Sequence, residues 1–269
     1  MSKKAFTLVE LLVVIAIIAV LMGILMPSLG KVRKQAQATA CMSHLKQWSL
    51  VWSIYTDNHE GKFPTGQIPM GQNLGNDMPR GAWITALQSG WEKHPEMLIC
   101  PSAKRRNEGV NNGSFDQTYT MGSYKELLGD AVQDEASYGM NCWAFNTSSD
   151  LQGREEAWHW KSLYRVKQAN KVPLFLDSMW RGGGPYWEST EAIMTPKKNG
   201  MWIGAKYEML HFAIDRHAGG VNVQFMDSSV RKIRVKELWG LKWHRTYDTQ
   251  RYLHAPESWW GGWLSKLPD

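Results

Sequence analysis

The apolar and polar positions of this chain divide it into three parts. Residues 6–26 form an apolar run of about 21 residues, broken by one carboxylate, Glu10. As a helix the run is roughly 30 Å long, the thickness of a bilayer's hydrocarbon core. Lys3 and Lys4 precede it, and Lys31, Arg33 and Lys34 follow. Over residues 29–55, Val32, Ala36, Ala40, Leu45, Trp48, Val51, Trp52 and Tyr55 recur at helical spacing, with Lys31, Arg33, Lys34, Gln35, Gln37, Lys46 and Gln47 filling the other face. That spacing predicts an amphipathic continuation of the same helix, its apolar stripe turned to a sheet. Gly23 and Pro27 weaken the helix near the junction. Asp57, Asn58, His59, Glu60 and Gly61, then Pro64, end it.

Beyond residue 60 the pattern changes to loops and short strands. Residues 61–81, rich in Gly, Pro, Asn and Gln, read as an irregular loop, and residues 82–87 as the start of a short helix. Residues 101–118 read as a second polar loop, in which Lys104, Arg105 and Arg106 form a solvated basic run. Strand candidates are residues 137–143, 172–177 and 211–215. The clearest strand is residues 221–227, where Val221, Val223 and Phe225 alternate with Asn222 and Gln224. Gly219 and Gly220 turn the chain into it, and residues 230–233 return antiparallel. Residues 237–243 read as a short helix, and the tail from Tyr247 as irregular. No internal repeat is present. The predicted fold class is α+β: a long N-terminal helix, half apolar and half amphipathic, packed on an antiparallel β-sheet.

Composition adds constraints. The 269-residue chain has a formal net charge of +6. Removing residues 1–5 takes away two lysines, leaving 29 basic and 25 acidic residues, or +4. That balance gives no nucleic-acid signature. Three cysteines, Cys41, Cys100 and Cys142, are too few for a disulfide scaffold, and either one bridge or three free thiols fits them. Their spacing contains no CxxC, so no zinc centre is expected, and no cofactor. Of fifteen tryptophans, eleven lie in the later half; they read either as core packing or as an aromatic platform for a sugar or partner.

Glu10 decides between readings of the N-terminus. A carboxylate in a membrane helix costs about 2.5–3.5 kcal/mol at its centre and less near an end, so it calls for a partner. A secretory signal peptide has a shorter apolar core with its cleavage site directly after it, and an ordinary anchor leaves Glu10 unexplained. The string Lys3-Lys4-Ala5-Phe6-Thr7-Leu8-Val9-Glu10-Leu11-Leu12-Val13-Val14-Ile15 resembles the class III signal of type IV pilins and type II secretion pseudopilins. The resemblance implies cleavage by a prepilin peptidase between Ala5 and Phe6 and methylation of the new amine. It further implies that Glu10 neutralises the amine of a neighbouring subunit, with Pro27 at the family's helix-kinking position. Ala5 stands where the family has Gly. Implied partners are other pilin-like subunits, the prepilin peptidase, an inner-membrane assembly platform and the membrane itself. The implied organisation is a leader at residues 1–5, a membrane and assembly helix at 6–28, its amphipathic continuation at 29–56, and an exported globular domain at 57–269, with the N-terminus cytoplasmic. A membrane-anchored binding module with a Trp-rich surface is the alternative.

Residues 216–227, from Arg216-His217 to Met226-Asp227, resemble the H-x9-DG signature of large pilin-like proteins of planctomycetes, with Ser228 in place of its Gly. His217, Asp215, Asp227 and Asp177 form the one constellation that would suit a metal or a catalytic pair, and a structural His217–Asp227 hydrogen bond across the hairpin is the commoner outcome. No G-x-S-x-G, H-E-x-x-H, phosphate-loop or dinucleotide fingerprint occurs, and Gly182-Gly183-Gly184-Pro185 lacks a phosphate loop's context, so no enzyme is expected.

Overall fold

The computed structural model of the chain describes residues 7–67, 78–122, 124, 135–185, 208–250, 260 and 262–267. Ala5 and Phe6 lie outside the described residues, as do Trp187, Trp202 and Trp259.

A single helix, α1 (Leu8–Asn58), runs 51 residues and includes Pro27 without interruption. Proline has no N–H, so the bond that residue 27 would give to the Gly23 carbonyl is missing. The helix closes at Gly61, whose N–H reaches the Thr56 carbonyl at 2.8 Å. Gly61 has φ +73°, a geometry glycine adopts freely.

The two halves of α1 differ in what covers them. Leu8, Leu12, Ile15, Leu21 and Leu25 are all exposed, whereas Cys41, Leu45, Trp48 and Trp52 are buried at the four- and three-residue steps of a helix face. The packed stripe begins later than predicted, since Val32 is 60 % exposed and Ala36 is exposed too. The globular part first meets α1 where Gln37 Nε2 donates to the Pro101 carbonyl at 3.0 Å and Asn222 Nδ2 to that of Ala38 at 3.1 Å.

Among the described residues, the sheet that α1 covers has five strands: β3 (Tyr138–Asn141), β4 (Pro173–Asp177), β5 (Gly182–Gly183), β6 (Gly220–Phe225) and β7 (Val230–Arg234), in the order β5-β3-β4-β6-β7. All pairings are antiparallel except β3 with β5. A separate antiparallel pair joins β1 (Tyr119–Thr120) to β2 (Glu135–Ala136). The architecture is therefore α+β, a long N-terminal helix on a largely antiparallel sheet. α1 lies against β6, β7 and β4. All six residues of β6 are buried, so its alternation does not mark a solvent face. Asn222 lies under α1 instead, tied to the Ala38 carbonyl.

Two predicted elements take other forms. Residues 211–215 are not a strand: Glu208–His211 is a 3-10 turn, and the Ile214 N–H folds back on the Phe212 carbonyl at 2.9 Å. The predicted helix at 237–243 is a 3-10 segment at Val235–Gly240. The short helix near residue 82 is present as α2 (Met78–Ala86).

The tryptophans explain how so little regular structure makes a core. Of the twelve described, eleven are buried and Trp158 is partly buried. Trp48 packs edge-on to Trp83 at 5.1 Å and lies 5.2 Å from Phe175 of β4. Their indole N–H groups reach loop carbonyls: Trp48 to Met97 at 2.9 Å, Trp83 to Arg181 at 2.6 Å, Trp143 to Pro185 at 2.8 Å and Trp160 to Trp243 at 2.9 Å. Each such ring fills volume and also gives a donor to a backbone carbonyl beside the core. Packing, not an exposed platform, is what the described tryptophans do.

Candidate functional site

Two features carry chemistry: the exposed end of α1 and a buried polar cluster beneath its other half. At the exposed end, Thr7 is the N-cap, with extended backbone (φ −82°, ψ 151°). Its hydroxyl accepts the Glu10 N–H at 3.3 Å, and Glu10 Oε2 accepts the Thr7 N–H at 2.8 Å and its hydroxyl at 2.7 Å. This reciprocal capping box satisfies two helix-end donors and gives the Glu10 carboxylate partners within its own chain. Thr7 supplies them because it is short, polar and three residues away. The apolar residues that follow present an unbroken exposed surface from Leu8 to Leu29.

The buried cluster draws on four parts of the fold. Cys41 comes from the packed stripe of α1, Cys100 from the loop after the 3-10 turn Pro95–Leu98, Asp177 from the end of β4, and His217 from the turn before β6. All four are buried, and their donor atoms lie within 4.8 Å of one another. His217 Nε2 is 3.0 Å from Asp177 Oδ2 and 3.5 Å from Cys100 Sγ. The Cys41 thiol donates to Asp177 Oδ1 at 3.4 Å. Ser102 Oγ stands 3.5 Å from the other ring nitrogen, Nδ1, and the Ser102 N–H donates to Cys100 Sγ at 3.4 Å. The Asn222 N–H donates to Asp177 Oδ2 at 2.9 Å.

Arg216 closes the cluster on one side. Its guanidinium sits 3.5 Å from Asp177 Oδ1 and donates to the carbonyls of Phe115, Ser137, Ser114 and Ser178 at 2.7–3.1 Å. One side chain thus ties the 114–117 loop and the residues flanking β3 and β4 together.

These contacts set the ionisation of the group. Burial disfavours the Asp177 carboxylate, but His217, Arg216 and the Asn222 N–H outweigh it and hold the group at about 2. Burial works against imidazolium at His217, and the neighbouring Asp177 and Cys100 outweigh it, raising the ring to about 10. Burial opposes ionisation of Cys100, while the hydrogen bond from Cys41, with His217 and Arg216 nearby, brings it down to about 6. Cys41 goes the other way, pushed well up by burial and then by its Cys100 and Asp177 neighbours. The arrangement resembles a thiolate–imidazolium pair over a carboxylate, closed to solvent on every side.

Of the residues singled out from sequence, the fold brings His217 and Asp177 together and sends the others elsewhere. Asp215 Oδ1 accepts the Gly219 N–H at 2.5 Å, capping its own turn. Asp227 Oδ1 accepts the N–H and hydroxyl of Ser229 at 3.0 and 2.6 Å. Cys142 lies apart, its thiol raised to about 12 mainly by burial. Sequence reasoning missed Cys41 and Cys100 as a pair. The one signal for Cys41 was its place four residues before Leu45, on the stripe that packs.

Residues 1–26 match the family model of the prokaryotic N-terminal methylation motif. With the long apolar helix that begins inside them, the match fits a pilin-like or pseudopilin-like protein, and the motif points to a structural subunit rather than an enzyme. No curated protein and no solved structure matches the chain. The helix is long and apolar enough to cross a membrane, and its most apolar stretch is wholly unburied by the rest of the protein. One N-terminal membrane pass is consistent with both.

Proposed function

We propose that this protein is a pilin-like subunit, cleaved by a prepilin peptidase before Phe6, methylated there, and assembled through α1 into a type IV pilus-like filament or a type II secretion pseudopilus. The observation that carries the reading is the uncovered apolar half of α1, directly continuous with the methylation motif at residues 1–26. Such a surface is stable only in lipid or against other apolar helices, and assembly exchanges the first for the second. In this reading residues 1–5 are a leader, residues 6–28 the membrane and assembly segment, and the domain from residue 57 lies in the periplasm or outside the cell. The positive-inside rule, through Lys3 and Lys4, keeps the N-terminus cytoplasmic.

Glu10 has two partners in turn. In the free subunit its carboxylate closes the capping box with Thr7; in the filament it neutralises the Phe6 amine of the next subunit, where an unpaired charge is costly. Pro27 lies in the helix at the family's kink position. Mass spectrometry of the native N-terminus tests the reading. A chain that begins with N-methylated Phe6 supports it. A chain that still begins at Met1, in cells with an active peptidase, overturns it.

A further inference from the structure

We propose that Cys41, Cys100, Asp177 and His217 bind one zinc ion in a closed, four-coordinate site. The proposal stands on the geometry of the globular part and is independent of filament assembly. Spacing along the chain gives no zinc motif because each ligand comes from a different element; only the fold brings them together.

Three observations point to a metal. The first is the donor set. Two sulfurs, one imidazole nitrogen and one carboxylate oxygen form the mixture that suits zinc, and four protein ligands without an open position mark a structural site. The second is spacing. Bonds of about 2.3 Å to sulfur and about 2.0–2.2 Å to nitrogen or oxygen put tetrahedral neighbours about 3.4–3.8 Å apart. Taking Oδ2 as the Asp177 ligand atom, Cys41 Sγ lies 3.7 Å from it and Cys100 Sγ lies 3.5 Å from His217 Nε2, and all four donors fall within 4.8 Å. The His217–Asp177 contact, at 3.0 Å, needs to open by only a few tenths of an ångström.

The third observation is the surrounding shell. Metal-bound histidine usually has its second nitrogen hydrogen-bonded, and metal-bound thiolates and carboxylates accept from nearby N–H groups. Ser102 Oγ faces His217 Nδ1, the Ser102 N–H points at Cys100 Sγ, and the Asn222 N–H holds Asp177. Charge also balances. Zinc with two thiolates, one carboxylate and a neutral imidazole carries one net negative charge, and Arg216, 3.5 Å from Asp177, carries one positive. A dry pocket holding the ion is then neutral. The site would fasten α1 to β4 and to the turns before β6 and after residue 98.

The competing occupant is a Cys41–Cys100 disulfide. Purification of the full chain in detergent, without chelator, followed by metal analysis and cobalt exchange, separates the two. The expected result is one zinc per chain. Cobalt in its place should give thiolate-to-metal charge transfer and the intense visible bands of a tetrahedral ion. Both should be lost in Cys100→Ser and kept in Cys142→Ser, whose buried thiol lies outside the cluster. Absence of stoichiometric zinc together with no cobalt spectrum in the wild-type protein overturns the proposal, as does a Cys41–Cys100 disulfide found by mass mapping. Because the wild-type spectrum decides alone, a variant that fails to fold does not blunt the test.

Discussion

Asp227 accepts both the backbone N–H and the hydroxyl of Ser229, at 3.0 and 2.6 Å. These two bonds close the turn between β6 and β7 and leave Ser228 between them at φ +66°. An L-residue pays for that left-handed backbone about 1–2 kcal/mol, whereas glycine enters it freely and loses roughly 0.5–1 kcal/mol of chain entropy instead. Ser228→Gly is therefore expected to stabilise the domain by about 0.5–1 kcal/mol, seen as a higher midpoint in urea with an unchanged slope. A lower midpoint would show that the Ser228 side chain does something its turn position does not reveal.

Acid should weaken the fold well before the carboxylates titrate. His159 and His244 are pushed to about 3 and His211 to about 4, in each case first by burial, with Arg154 adding repulsion at all three. Each folded ring stays neutral while the unfolded ring takes up a proton below about 6.5. The unfolded state then binds more protons, so stability present at pH 7 is lost as pH falls from about 6.5 toward those depressed values. At pH 5 each ring is expected to cost about 2 kcal/mol. Thermal melts at pH 7 and pH 5 measure the loss. His244→Phe, which preserves a ring stacked on Trp158 at 5.2 Å, should reduce the pH dependence; an undiminished dependence would assign it to other groups.

Glu10→Val removes the carboxylate from the apolar segment and with it the charge that the proposed assembly needs. Membrane insertion should persist, since the segment becomes more apolar, while incorporation into filaments alongside wild-type subunits should be abolished. Fractionation of membranes and sheared filaments distinguishes the two steps. Normal incorporation of the variant would remove Glu10 from the assembly mechanism.

What was legible in the sequence was local. α1 and β6 announced themselves because periodicity is written in neighbouring residues. Residues 211–215 read as a strand because Phe212 and Ile214 are β-compatible, yet tertiary contacts decide there. Glu208 is fully buried between Arg80, at 2.5 Å, and Arg154, and His211 Nδ1 meets the Gly182 carbonyl at 2.8 Å. Which of the three candidate aspartates would meet His217 was likewise not written in neighbouring residues. Ten residues along the chain separate it from Asp227, and forty from Asp177, but antiparallel pairing of β4 with β6 makes the distant aspartate the near one. The burial of Asn222 and Gln224 was not legible either: alternation says which residues share a face and not what covers it.

The continuity of α1 has a mechanical consequence. At 51 residues it is a rod about 75 Å long, held by Leu45, Trp48 and Trp52 at one end and bare at the other. A helix does not stretch readily between those anchors, so tension applied at the bare end loads them together rather than one after another. Under the proposed assembly, Leu45, Trp48 and Trp52 would share that load, and the helix would carry force from its bare end into the globular part.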